Sequence, residues 1–212
     1  MHFMAQWKAV LCSLLSVATL FIAWDVWFTL QGVWGFNPDY LVGINLWNLP
    51  IEEWMFFILI PFSSLFIHYA LHYFYPQIML HPKATLVITW SLIVIAFSLA
   101  IFNMNKAYTF INFAFLTFIL LLGIWKGRHL LSRFYLSFLI ILIPFFIVNG
   151  ILTGSFIDNE VVWYNNEENL GIRLFTIPVE DVGYAFSMIF LNVYFIEKFR
   201  KWLKLPALKT KN

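Results

Sequence analysis

The sequence predicts an all-α polytopic membrane protein of six transmembrane helices, with an internal parallel repeat and both termini cytoplasmic. Three observations predict it. Hydrophobic residues make up 62% of the chain and charged residues 11%, with a mean hydropathy of +0.81. A soluble domain is about 45–50% apolar and about 25% charged, so this chain cannot cover its surface with polar groups and needs lipid. The apolar residues gather into six runs near the length a bilayer demands, about 20 residues per helix. The basic residues divide very unequally between the two sets of connecting segments.

The runs cover residues 9–30, 50–75, 84–102, 108–125, 134–152 and 178–199. Polar or turn-forming residues separate them, as in Asn37-Pro38-Asp39 and His81-Pro82-Lys83, and again at residues 103–106 and 126–128. The first run is too long for a signal peptide, carries Asp25 and lacks a small-residue cleavage site, so it is read as a helix. With six spans both termini share a side. That side collects Lys8, Lys83, Lys126, Arg128, Arg133, Lys198, Arg200, Lys201, Lys204, Lys209 and Lys211, leaving only Lys106 and Arg173 opposite. The positive-inside rule places the basic side in the cytoplasm. Asp39, Asp158, Glu160, Glu167 and Glu168 then fall in outer loops. The expected location is therefore multi-pass in the cell (inner) membrane, with a basic tail over residues 200–212 anchoring the last helix at the cytoplasmic surface.

A duplication organises the chain. Residues 43–53 read Gly-Ile-Asn-Leu-Trp-Asn-Leu-Pro-Ile-Glu-Glu, and residues 171–181 read Gly-Ile-Arg-Leu-Phe-Thr-Ile-Pro-Val-Glu-Asp. Gly, Ile, Leu, Pro and Glu coincide without a gap, and most other positions are conservative exchanges. Helices one and two thus correspond to helices five and six. An offset of four helices keeps orientation, so the repeat is parallel, and repeat interfaces commonly frame sites. The expected division is a first repeat over residues 1–106 and a second over 107–199, followed by the tail. Asp25, near the outer end of helix one, has Asn149 as its counterpart.

Each motif enters a helix. Asn48 and Thr176 stand where an N-cap is expected, and Pro50 and Pro178 suit a first turn. Glu52, Glu53, Glu180 and Asp181 then fall near the positive end of a helix dipole, which by itself makes a good helix start. Adjacent helical residues project about 100° apart, so the two acids of a pair meet different surroundings at the edge of hydrocarbon. Acids at membrane depth default to a functional reading. A desolvated carboxylate has the physics of a general acid. Desolvation and a neighbouring acid favour its protonated form, and the helix terminus favours the ionised one.

The stretch Trp34-Gly-Phe-Asn-Pro-Asp-Tyr40, then Gly43-Ile44, then Leu49-Pro-Ile-Glu-Glu-Trp-Met-Phe-Phe57, with Pro178-Val-Glu-Asp181 as a second copy, resembles the small membrane lycopene cyclases. The resemblance covers essentially the whole chain. It implies a non-redox isomerisation: a proton adds to the terminal alkene of an acyclic carotenoid, the cation closes onto a neighbouring alkene, and proton loss leaves a β-ionone ring. It implies Glu52, Glu53, Glu180 and Asp181 as catalytic residues, with Glu52 and Glu180 the first choice as acids and Glu53 and Asp181 as partners or bases. Asp25 and Arg173 are auxiliary candidates, Arg173 as an ion-pair partner for Asp181 or the outer-loop acids. Trp47, Trp54 and Tyr184 are candidates for contact with the substrate. Lycopene or a related acyclic carotenoid, reached through membrane lipid, is the implied partner, and no cofactor and no metal are expected. A homo-oligomer or contact with other carotenoid enzymes is compatible with the resemblance.

Other classes fit less well. A di-iron hydroxylase needs many more His than the pair His68 and His72, which the sequence places as interfacial groups at the inner end of helix two. Cys12 is the single cysteine, so neither an intrachain disulfide nor a Cys-based metal cluster is expected. Asp-rich diphosphate motifs and Gly-x-Gly-x-x-Gly are absent, so neither prenyl transfer nor a dinucleotide is expected. No nucleic-acid partner is expected. A proton-coupled small transporter or a carotenoid-binding protein remains the alternative that the paired acids also suit.

Overall fold

The computed structural model describes residues 3–206. Six long helices carry the fold: α1 (Trp7–Leu30), α2 (Ile51–Phe74), α3 (Pro82–Phe102), α4 (Ala107–Lys126), α5 (Arg128–Leu152) and α6 (Glu180–Trp202). Short strands occupy the two long connections at one end of the bundle. They are β1 (Trp34–Phe36), β2 (Asn45–Leu46), β3 (Leu49–Pro50), β4 (Val162–Tyr164), β5 (Arg173–Leu174) and β6 (Ile177–Pro178). β2–β3 and β5–β6 are antiparallel hairpins, and β1 pairs antiparallel with β4.

Among the described residues, five helices, α1 to α5, are long and apolar enough to cross a membrane. Their outward stripes are apolar, as in Val87, Trp90, Val94, Phe97 and Ile101 of α3. The sixth differs for a physical reason. α6 packs against α1, α2, α4 and α5 at the centre of the bundle, and it buries Ser187 and Asn192. A helix surrounded by protein can carry polar groups that a lipid-facing helix cannot, provided they find partners. Asn192 does: its side-chain oxygen and its backbone carbonyl each accept from Ser13 Oγ of α1 at 2.9 Å. Interhelical bonds of this kind contribute roughly 0.6 to 2 kcal/mol in a bilayer.

Small residues set the closest approaches. A Cβ on Gly123 of α4 would stand 2.7 Å from Leu131 Cδ1 of α5, and one on Gly183 of α6 would stand 3.3 Å from Leu116 of α4. Gly127 alone separates α4 from α5. α5 therefore starts at Arg128, earlier than the apolar run suggests. Its first turns are amphipathic, burying Leu130, Leu131 and Ser132, and hydropathy alone does not register them.

The expected caps are corrected. Pro50 and Val179 occupy the N-cap positions of α2 and α6, without side-chain capping bonds. Asn48 and Thr176 lie instead in the hairpin turns, where Asn48 Nδ2 donates to Val26 O at 3.0 Å and Thr176 Oγ1 bonds Thr153 and Ser155, each at 2.7 Å. The hairpins pull these residues off the helix axis. Of the basic tail expected over residues 200–212, α6 takes the first part, to Trp202, and residues 207–212, with Lys209 and Lys211, lie outside the described residues.

Candidate active site

The two copies of the motif fold alike. In each, a hairpin with a two-residue turn leads into a helix, with Asn45 opposite Pro50 in one and Arg173 opposite Pro178 in the other. Each turn holds an aromatic residue at positive φ, Trp47 and Phe175, both at 57°. A bulky side chain there is an outlier that costs about 1–3 kcal/mol. The backbone closes identically, Ile51 N donating to Ile44 O at 2.9 Å and Val179 N to Ile172 O at 3.0 Å.

The first acid of each pair ties this geometry down. Glu52 Oε1 accepts from Val42 N at 2.7 Å, ten residues upstream. Glu180 Oε1 accepts from Leu170 N, again ten residues upstream, at 2.8 Å, and from Thr109 Oγ1 of α4 at 2.7 Å. Neither Glu52 nor Glu180 lines the cavity between α1, α2, α5 and α6.

The second acid of each pair does. A turn of about 100° between neighbours aims Glu53 and Asp181 into an internal cavity of about 270 Å³, which Asp25 of α1 also lines. Three carboxylates from three helices thus share one space. Their surroundings differ. Asp181 Oδ1 accepts from Tyr108 Oη at 2.5 Å and Oδ2 from Tyr164 Oη at 3.0 Å. Asp25 Oδ1 accepts from Trp34 Nε1 and from Thr29 Oγ1, and its Oδ2 is buried with no partner among the described residues. Glu53 accepts no hydrogen bond from any described residue. Tyr164 stands in β4, outside the helices, where removal from water and then the Asp181 charge push its hydroxyl well above the usual tyrosine range, so it stays a donor.

Aromatic rings crowd the carboxylates. Trp34 meets Tyr108 edge-on at 5.1 Å between centroids, and Tyr108 stacks with Tyr164 at 6.0 Å. Tyr184 of α6, expected from the sequence as a substrate contact, lines the same cavity. Away from the acids the walls are mostly apolar, including Phe57, Ile60, Phe145 and Met188, with Ser63, Ser64, Asn149 and Thr153 the polar exceptions. Ser63 of α2 and Pro144 and Val148 of α5 line the cavity and are also exposed on the outside of the bundle. The cavity therefore opens sideways, between the apolar middles of α2 and α5. The same helices are pinned at their far ends by His68 Nδ1 and Ser137 Oγ, 2.5 Å apart.

Other sequence candidates are placed elsewhere. Trp47 and Trp54 pack 5.4 Å apart and line a separate apolar groove between α1 and α2. Among the described residues Arg173 makes no ion pair with Asp181 or any other acid. Its guanidinium donates to Thr176 O of its own hairpin turn at 2.6 Å and to Asn166 Oδ1 of the preceding loop at 2.9 Å, and it lies 5.8 Å from the Tyr164 ring. His68 and His72 are buried, 3% and 6% exposed, rather than interfacial. Packing of α2 on α5 encloses them. Sequence reasoning did not single out Trp34, Tyr108 or Tyr164 as site residues. Trp34 lies in the stretch that carries the resemblance, but nothing in the sequence marks one tyrosine at a helix start or in a loop above the others. Asn149, the counterpart of Asp25, does line the cavity.

The sequence profile of the lycopene cyclase family matches residues 1–71 and 105–199. The chain belongs to the lycopene cyclase family. Every cavity-lining residue of this cyclase family member falls within the matched segments, and the unmatched stretch between them holds α3, which contributes none. A bifunctional lycopene cyclase/phytoene synthase of Aspergillus niger is 36% identical over 56 residues, which is 26% of this chain and 10% of that protein. The match thus spans about a tenth of that relative's length. No solved structure matches the chain.

Proposed function

We propose that the protein is a lycopene cyclase that converts the acyclic end groups of lycopene, or a related carotenoid, into β-ionone rings without redox chemistry. The observation that carries this is the meeting of Asp25, Glu53 and Asp181 in one apolar cavity that opens to the side of the bundle. The substrate is a hydrocarbon dissolved in the bilayer, and a lateral mouth between apolar helices gives it a route that avoids water. A cavity of about 270 Å³ suits an end group, with the polyene lying in the mouth; whole ligand pockets run to about 300–1,000 Å³.

Glu53, with no donor bonded to it, is suited to carry the proton and deliver it to the terminal alkene. The resulting tertiary cation closes onto the neighbouring alkene, forming the ring bond and moving the charge into the ring. Asp181, held between two tyrosine hydroxyls, is suited to face that charge as a carboxylate and to accept the ring proton. Asp25 is oriented by Trp34 and adds a second acceptor. The faces of Tyr108, Tyr164 and Tyr184 add cation–π stabilisation of about 0.5–2 kcal/mol each. Glu52 and Glu180 act at one remove, by fixing the hairpins that aim their neighbours. No net proton is consumed, since each turnover returns the one it takes.

The reading extends to topology. Six spans, α6 included as the protein-lined central one, put both termini in the cytoplasm and the hairpins outside. The matching hairpins and matching ten-residue ties support a parallel repeat over residues 1–106 and 107–199. Expression in a lycopene-accumulating bacterium, followed by pigment chromatography, tests the function. Conversion of lycopene to cyclic carotenes is expected. Unchanged lycopene, with the protein present in the membrane, would overturn the proposal.

A further inference from the structure

The outer end of the cavity is closed by the β1–β4 sheet, in which Trp34 pairs with Tyr164, Gly35 with Trp163 and Phe36 with Val162. Side chains alternate across a strand, and here the alternation is clean. Trp34, Phe36, Val162 and Tyr164 all line the cavity, while Gly35 and Trp163 form the pair on the opposite face. Of the sheets among the described residues, this one joins the two halves of the chain; the other two are local hairpins. Asn37 N to Val161 O at 2.8 Å and Asn165 N to Val33 O at 2.9 Å extend it at both ends.

The outer pair fits closely. A Cβ built on Gly35 would lie 2.3 Å from Trp163 Cζ2 and 2.6 Å from Cε2. The indole thus lies against the Gly35 backbone, which is buried although Trp163 itself is 40% exposed. The backbone of Gly35 is not in the left-handed region, so glycine is needed there for approach and not for conformation. The seal has two layers: four side chains on the cavity face and an indole over the backbone behind them.

We propose that Gly35 and Trp163 determine the product of the reaction, by keeping water from the outer loops away from the carbocation. The inference rests on the cyclase reading above. A tertiary cation has two exits. In one, the neighbouring alkene supplies its electron pair and a ring forms. In the other, a water oxygen supplies a lone pair, a C–O bond forms, and the oxonium proton passes to the carboxylate that began the sequence. The second exit leaves a tertiary alcohol, adds one water overall and needs no oxidant. Both begin with the same protonation, so exclusion of water decides between them. Opening the sheet from its outer face, without touching a cavity residue, shifts the partition towards hydration.

The test uses the full chain in a lycopene-accumulating bacterium, with pigments resolved by chromatography and mass spectrometry. Gly35→Val drives its side chain into the indole and parts the strands; Gly35→Ala does so less. Adding Trp163→Thr to Gly35→Val replaces the clash with an ordinary cross-strand pair. Wild type is expected to give cyclic products. In Gly35→Val the ratio of hydrated to cyclic end groups is expected to rise about tenfold or more, with the new oxygen drawn from isotopically labelled water, and the double variant is expected to restore rings. Fewer rings without any alcohol, or an unchanged product ratio, in a Gly35 variant recovered from the membrane would overturn the inference while leaving the cyclase reading intact. Gly35→Ala is scored by the same criterion where Gly35→Val does not accumulate. A wild type that leaves lycopene unchanged would instead overturn the function itself.

Discussion

Replacing each motif acid by its own amide separates chemistry from architecture. Glu53→Gln keeps shape and volume and removes the transferable proton. Glu53 accepts no bond from a described residue, so the fold is expected to stay within about 1 kcal/mol of wild type. A positioned general acid contributes roughly 10²–10⁴-fold to rate, which corresponds to about 3–5 kcal/mol of barrier. Glu180 behaves in the opposite way. It is 0% exposed, and its Oε1 holds both Leu170 N and Thr109 Oγ1. Glu180→Gln keeps an oxygen at that place and is expected to cost only about 1 kcal/mol. Glu180→Ala strands both donors at about 1–3 kcal/mol each, hence about 2–6 kcal/mol from the fold. The signature is therefore tolerance of the amide at positions 52 and 180 and intolerance at 53 and 181. The assay is lycopene converted per unit of membrane-inserted protein, run beside thermal melts of the purified protein in detergent. Full turnover in Glu53→Gln and Asp181→Asn, with none in a stably inserted Glu180→Gln, would refute the reasoning and return the acid role to the first residue of each pair.

Three further outcomes are expected. Tyr108→Phe removes the 2.5 Å bond to Asp181 and Tyr164→Phe the 3.0 Å one; each is expected to slow turnover by about tenfold, from the ~1–1.5 kcal/mol such a bond contributes, and equal rates with wild type would remove the tyrosines from the mechanism. Val148→Trp fills the lateral mouth and is expected to reduce conversion in cells while leaving the detergent melting temperature near wild type; undiminished conversion would mean that substrate enters elsewhere. Gly123→Val forces Leu131 away from a position 2.7 Å from the new Cβ and is expected to destabilise the α4–α5 contact by about 1–3 kcal/mol, seen as a lower melting temperature.

Much of the architecture is legible in the sequence because lipid imposes a simple rule. A helix facing hydrocarbon must be apolar along its length, so α1 to α5 declare themselves by hydropathy. α6 shows as the apolar run over residues 178–199, although burial inside protein relaxes that rule for Ser187 and Asn192. The duplicated motif brings a pair of acids to the start of α2 and of α6, but it does not say which acid of each pair faces the cavity. Glu52 and Glu180 look favoured because both copies have Glu there. In the structure the two do the same local work, each accepting from the backbone amide ten residues back, Val42 N and Leu170 N. Which acid faces inward depends on helix rotation about α2 and α6, which is set by packing against α1, α4 and α5. Tyr108 and Tyr164 reach Asp181 across 73 and 17 residues of sequence, through contacts that no local pattern encodes. Trp47 and Trp54 lie in the first copy of the motif but line the groove on the α1 side of α2.

Under the proposed function, the sideways mouth between α2 and α5 bears on how a substrate with two identical ends would be handled. Such a molecule presents one end at a time, and after the first ring forms it must withdraw into the bilayer, turn about and come back by its other tail. On that reading the half-finished pigment would be a free species that diffuses in the membrane and competes with fresh lycopene for re-entry. The proportion of singly to doubly closed carotene then becomes a property of the cell as much as of the protein, falling as more copies of the chain share the same pool of pigment.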